Sequence, residues 1–104
     1  MLEELGLTKK DLVDISESAS RWYVYIIQTE CNTLYTGITT NVARRFSEHL
    51  ASFNGESKKG AKYFRGRKPH KLVYTEVFEN RSKASKREYA IKKMGTSTKR
   101  KLIS

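Results

Sequence analysis

The stretch RWYVYIIQT, residues 21–29, constrains this chain more than any other. Aromatic and β-branched side chains dominate it, so it reads as a buried strand. Period two puts Tyr23, Tyr25 and Ile27 on one face and Trp22, Val24 and Ile26 on the other. The next residues, ECNT, supply turn chemistry, and LYTGIT at 34–39 reads as a second strand. Together they make a β-hairpin. Tyr25 and Tyr35 share a face of it only if the register pairs them directly or an even number apart.

The rest of the chain must pack on that hairpin. NVARRFSEHLASF has helical periodicity, with Asn41 as its cap, and NGESKKGAKYFRGRKPH is a basic, glycine-bearing loop. KLVYTEVF at 71–78 is a third strand. Asn80 or Ser82 caps a helix running to about Met94, and Gly95 ends it in the position where a left-handed C-cap is favoured. TSTKRKLI adds a short final helix capped by Thr96 or Ser97. The order ββαβα plus a terminal helix predicts an α+β domain, a small antiparallel or mixed sheet packed by helices. At 104 residues the chain is long enough for one such domain and not for two. Residues 1–20 read as an extension to a folded unit over 21–104: LTKKDLVDI suits a short helix capped by Thr8, and SESAS suits a flexible linker.

Charge narrows the function. The formal net charge is +10, but residues 1–20 carry two lysines against five acids, so the extension is acidic and the remainder carries +13. A body this basic calls for a polyanionic partner, nucleic acid above all. No apolar run reaches the length of a membrane span, and the opening MLEELGLTKKDL lacks the order of a secretion signal. The single cysteine, Cys31, has no internal partner and no metal motif around it. The expected setting is cytoplasmic, with no membrane association.

Helical angles separate two adjacent arginines. With Phe46 at zero and about 100° per residue, Val42, Ala43, Leu50 and Phe53 fall within roughly 60° of it and form the core face. His49 falls at roughly −60°, inside the margin, and Arg45 at about −100°, on the border, one turn before it. Arg44, at roughly 160°, points to solvent. A planar guanidinium at the edge of a core is suited to grip a phosphate, although an arginine snorkelling over apolar surface is the commoner case.

On the later helix, with Ile91 at zero, Glu88 lies at roughly +60°, an isolated acid at the edge of an apolar stripe among lysines and arginines. Two readings stand: a salt bridge with Lys92 or Lys83, or a metal ligand, since one carboxylate plus water and substrate phosphate is a common way to hold Mg²⁺. The loop KKGAKYFRGRKPHK interleaves Lys62, Arg65, Arg67 and Lys68 with Tyr63 and Phe64. Cations of this kind track phosphates while aromatics stack on unpaired bases. The structural alternative is a solvated basic loop with Tyr63 or Phe64 anchored in the core.

These pieces together resemble the GIY-YIG nuclease family, most closely its small stand-alone bacterial members. YVYII at 23–27 is similar to the first motif, with Tyr25 as its tyrosine, and LYTGIT to the second, with Tyr35 and Gly37. NVARRFSEH resembles the family helix, with Arg45 at the motif arginine and His49 at a frequent histidine. GAKYFR resembles a segment of the small members, and KREYAIKK the helix bearing the family glutamate, Glu88.

The resemblance implies a three-stranded antiparallel sheet flanked by helices and metal-dependent hydrolysis of DNA phosphodiesters. It implies that Glu88 binds Mg²⁺ or Mn²⁺, that Arg45 steadies the scissile phosphate, and that Tyr25 activates water or relays its proton. Tyr35 would orient phosphate or water, His49 would assist proton transfer or anchor phosphate, and Gly37 would allow close backbone approach. DNA is the expected partner, branched or damaged DNA in a repair setting included, with room for a targeting protein. No asparagine follows Glu88, where many family members carry one, so a non-catalytic nucleic-acid-binding module on the same fold stays open as the alternative.

Overall fold

The computed structural model describes residues 21–104. The expected Thr8-capped helix and linker lie outside the described residues. Three strands, β1 (Trp22–Thr29), β2 (Leu34–Thr39) and β3 (Pro69–Phe78), form one antiparallel sheet in the order β2-β1-β3. Helix α1 (Val42–Phe53) follows β2, a 3-10 helix (Lys62–Arg65) interrupts the basic loop, and α2 (Arg81–Lys92) and α3 (Thr96–Ile103) follow β3. The α+β fold with a three-stranded antiparallel sheet is the one expected.

The alternation in β1 builds two cores, one on each face. Tyr23, Tyr25 and Ile27 pack with Val42 and Phe64, against α1 and the 3-10 helix. Val24 and Ile26 pack with Ala84 and Ile91, backed by Met94, Leu102 and Ile103, against α2 and α3. The central strand is therefore buried on both faces, which is why it carries no polar alternation.

The hairpin turn runs through Asn32, whose φ of 67° is a left-handed conformation that asparagine tolerates well. Thr29 closes the turn: its backbone N–H donates to the Thr33 carbonyl at 2.9 Å, and its Oγ1 accepts from the Thr33 N–H at 3.1 Å. The register pairs Tyr25 with Gly37 and Ile27 with Tyr35, so Tyr25 and Tyr35 are two positions apart on one face. Strand β3 begins at Pro69, earlier than expected. It pairs Ile26 with Tyr74 but Ile27 with Leu72, so Val73 is an extra residue, a bulge. That bulge sends Leu72 to one core and Tyr74 to the other, although they are two apart.

The caps follow the sequence in two places and depart from it in a third. Asn41 Oδ1 accepts from the Arg44 N–H at 3.0 Å, and Asn80 Oδ1 from the Lys83 N–H at 2.9 Å. Each such cap contributes about 1 kcal/mol. Helix α2, however, stops at Lys92, with Lys93 as a right-handed C-cap. Gly95 is not a left-handed terminator: it is extended (φ −67°, ψ 163°) and serves as the N-cap of α3 without a side-chain bond, in place of the expected Thr96 or Ser97. Phe64 is the fully buried anchor of the basic loop, and Tyr63 is half-buried beside it.

Candidate active site

The site grows from the pairing of Tyr25 with Gly37. A Cβ on Gly37 would lie 2.5 Å from Tyr25 Oη and 2.7 Å from its Cζ. The glycine thus makes room for a ring, whereas close approach of backbone was expected. The tyrosine lies across the neighbouring strand with its hydroxyl carried toward α1. There Tyr25 Oη and His49 Nε2 are 2.8 Å apart, and both residues are buried.

The other ring nitrogen fixes the direction of that bond. His49 Nδ1 accepts from the Ala61 backbone N–H at 3.1 Å. A nitrogen that accepts carries no proton, so in neutral His49 the proton is on Nε2, which donates to Tyr25 Oη. The hydroxyl's own proton is then free for another acceptor. Burial, together with the nearby positive charge of Arg45, lowers the His49 pKa to about 4, so the neutral form holds at physiological pH. Burial, with Tyr35 adding to it, raises the Tyr25 pKa well above its ordinary value, while the Arg45 cation opposes the rise.

Gly60 brings Ala61 into place. A Cβ on it would meet the Glu48 carbonyl oxygen at 2.5 Å and His49 Cα at 2.9 Å, so only glycine lets the loop lie on α1. Contacts of this loop and of Tyr25 rotate α1 relative to the expected arc. Its buried residues are Val42, His49 and Ser52, while Phe46, Leu50 and Phe53 are only half-buried. His49 was expected at the margin and is 0% exposed. The centre of the buried arc is displaced by roughly 70° toward Arg45. Hydrophobicity could not locate it, because two of its three members are polar.

The displacement sharpens the contrast between the arginines. Arg45 has a side chain 27% exposed; its Nη1 donates to Glu48 Oε1 at 2.8 Å and to the Lys59 carbonyl at 2.7 Å. Arg44 is 59% exposed and holds Glu48 only at 3.8 Å. Glu48, kept below the usual carboxylate range chiefly by the Arg45 hydrogen bond, is a site residue that sequence reasoning missed. Its position three and four residues after the arginines was the available signal. The Lys59 carbonyl and the Gly60 dock had none.

The tyrosines, His49 and the loop form one aromatic cluster. The Tyr35 ring lies 6.2 Å from Tyr25, 5.4 Å from His49, 5.2 Å from Tyr63 and 4.9 Å from Phe64, centre to centre. Of the basic residues expected to bind nucleic acid, Lys62, Arg65, Arg67 and Lys68 are exposed. The Arg67 guanidinium stacks 4.4 Å from the Tyr63 centroid. Lys68 turns to Glu30 at 3.9 Å.

Glu88 comes from α2, the helix packed on the opposite core, and its charge still acts on the Tyr25 hydroxyl. Its side chain is 22% exposed and meets Lys92 at 3.2 Å; Lys83 pairs with Glu79 instead. Among the described residues no three acidic, histidine or cysteine side chains cluster as a metal cage. A donor set of one accessible carboxylate does not fit zinc or a protein-caged calcium ion. It does fit Mg²⁺ or Mn²⁺ in a site completed by water and substrate phosphate. An i,i+4 ion pair of this kind is worth only about 0.3–0.5 kcal/mol, too little to withhold Glu88 from a divalent cation.

The GIY-YIG catalytic domain family matches residues 21–101 of this chain. The chain belongs to the GIY-YIG family. Family membership makes it a member of a nuclease family. A UPF0213 protein of Desulfotalea psychrophila is 55% identical over 82 residues, 79% of this chain and 70% of that protein. A UPF0213 protein of Natronomonas pharaonis is 48% identical over 86 residues, 83% and 94% of the two chains. A solution NMR structure of a UPF0213 protein from Bacillus halodurans aligns at 38% identity over 80% of this chain and 82% of that one, with a TM-score of 0.49. Within this GIY-YIG domain Tyr25, Tyr35, Arg45 and His49 stand together on one face of the sheet. No helix among the described residues is long and apolar enough to cross a membrane.

Proposed function

We propose that this GIY-YIG protein is a divalent-metal-dependent endonuclease that hydrolyses DNA phosphodiester bonds. The observation that carries the reading is the Tyr25 hydroxyl, which accepts a hydrogen bond from His49 Nε2, 2.8 Å away, beside the Arg45 cation and within electrostatic reach of Glu88. A metal-free binding surface has no need of a buried, oriented phenol. When bound by Glu88, Mg²⁺ or Mn²⁺ supplies Lewis-acid stabilisation of the leaving oxygen.

The chain's own residues do the rest. Arg45 leaves Glu48 for a non-bridging oxygen of the scissile phosphate and stabilises the charge that builds there. Tyr25 rests as a phenol, so it orients the attacking water and relays a proton, passing its own to an oxygen of the substrate phosphate as it takes the water's. Tyr35, half-buried beside it, orients phosphate or water. His49, fully buried with both nitrogens engaged, is a positioning residue that holds the Tyr25 oxygen and does not touch the phosphate. Lys62, Arg65, Arg67 and Lys68 hold the flanking backbone. A domain of this size reaches few base pairs, so selectivity comes from DNA shape, as in branched or damaged DNA, or from a targeting protein. We place the protein in the cytoplasm, where that substrate is found in a bacterial cell.

The test is incubation with branched, single-stranded and duplex DNA, with and without Mg²⁺, beside Glu88→Ala and Arg45→Ala. Mg²⁺-dependent cleavage lost in both variants is expected. Cleavage at full rate by Glu88→Ala sinks the mechanism. A nucleic-acid-binding module without cleavage is the second reading: among the described residues no three acidic, histidine or cysteine side chains cluster as a metal cage, and DNA binding with no product under any of these conditions would select it.

A further inference from the structure

Beside the tyrosine cluster, the hairpin turn, the 3-10 helix and α3 enclose a cavity of about 260 Å³ that the proposed chemistry does not use. Asn32, Tyr63, Thr96, Lys99 and Arg100 line it, and no lining residue is acidic. Three elements far apart in sequence meet there. Arg100 Nη2 donates to the Asn32 carbonyl at 2.5 Å, which ties the last helix to the hairpin turn. Asn32 Oδ1 accepts from Gln28 Nε2 at 2.6 Å, which turns the Asn32 amide donors elsewhere. The Tyr63 ring is held by the Arg67 guanidinium, 4.4 Å from its centroid, and by the rings of Tyr35 and Phe64.

The electrostatics of this cavity are unbalanced. Lys99 and Arg100 are both half-buried, yet neither has an acidic partner among the described residues. Two partly desolvated cations without a counter-ion favour an anion. The volume falls just under the roughly 300 Å³ at which pockets for drug-sized ligands begin, so it suits one ring system. An aromatic wall, amide donors and two cations are the chemistry of a single nucleotide: a base against the ring, hydrogen bonds to its edge, phosphate on the cations.

We propose that this cavity is a subsite for one unpaired nucleotide next to the scissile phosphodiester. Its base lies against Tyr63 and its phosphate on Lys99 and Arg100. The inference rests on the nuclease reading for its ligand class. Tyr63 touches Tyr35, and Tyr35 touches Tyr25, so the subsite adjoins the reacting group. A nucleotide stacked inside a duplex cannot enter it, so the protein selects DNA with an unpaired residue, as at an overhang, flap or mismatch.

The experiment is fluorescence anisotropy with a labelled duplex bearing a short single-stranded overhang. An abasic unit is placed at each overhang position in turn. The wild-type chain is expected to lose about 5- to 150-fold in affinity at one position, the range that base–aromatic stacking supplies. Tyr63→Leu erases that position dependence. Lys99→Ala, a change outside the aromatic cluster, keeps it but lowers the slope of log affinity against log salt by about 0.7. Circular dichroism of Tyr63→Leu identifies a folding defect, in which case the Lys99→Ala salt slope and the wild-type abasic scan decide the matter. Equal affinity for every abasic position in the wild type overturns the subsite and leaves the nuclease reading standing. Position-dependent binding without cleavage supports the subsite and overturns the nuclease reading. No DNA binding at all overturns both.

Discussion

His49 offers the sharpest measurement, because its two hydrogen bonds require it to be neutral. Protonation would place a hydrogen on Nδ1, against the Ala61 N–H that it now accepts. Its pKa is lowered from 6.5 to about 4 in the folded protein. Between those values the unfolded chain takes up the proton and the folded one refuses it. The stabilisation is therefore complete above pH 6.5, declines as pH falls, and is gone once pH drops through about 4. That gap, at about 1.4 kcal/mol for each pH unit, is worth about 3 kcal/mol, a large part of the 5–15 kcal/mol that holds a small domain together. The assay is urea denaturation of the wild type and His49→Phe at steps from pH 7 to pH 4. At pH 7 the variant should be less stable by about 1–3 kcal/mol, because the Ala61 N–H and Tyr25 hydroxyl lose their partner. Carboxylates titrate alike in both proteins and cancel in the difference. By pH 4 the wild-type advantage should vanish or reverse. Parallel stability curves, or an NMR titration of the His49 ring with a midpoint near 6.5, would refute both the tautomer and the buried neutral imidazole.

Two further outcomes follow from the site. Gly37→Ala drives a methyl group into the Tyr25 ring, an overpacking cost of about 1–3 kcal/mol, against a gain of about 0.4–1 kcal/mol from a stiffer unfolded chain; the urea midpoint should fall, and an unchanged or higher midpoint refutes the contact. Arg45→Ala should lower the cleavage rate by about 10²–10³, as loss of a charge-stabilising donor does, while Arg44→Ala stays near the wild-type rate; equal losses in single-turnover kinetics would remove the distinction between the two side chains.

Much of this was legible in the sequence, and the exceptions share a cause. The hairpin, its partner strand and both asparagine caps follow from local chemistry, and so does the separation of Arg45 from Arg44. Periodicity misplaces the buried arc of α1 because it weighs hydrophobicity, whereas His49 and Ser52 are buried by what Tyr25 and Gly60 bring to them. Glycine is common at left-handed helix ends, which makes Gly95 look like a terminator in sequence; here it joins two helices in an extended conformation. Glu88 was visible as an isolated acid on a helical edge, but nothing local connects it to a tyrosine on the other face of the sheet. The 3-10 helix and the cavity beneath α3 depend on contacts between distant segments, which no window along the chain contains.

The double-sided burial of β1 has a consequence for quality control. A strand that slips by one residue presents all its odd-numbered side chains where the even-numbered ones belong. In this sheet such a slip would put Tyr23, Tyr25 and Ile27 beneath α2 and α3, and Trp22, Val24 and Ile26 beneath α1. Both cores would be mispacked by the same error that misdirects the Tyr25 hydroxyl. A correctly aimed hydroxyl and a stable domain thus depend on one register, and a molecule with the wrong register is discarded by unfolding before it can act wrongly.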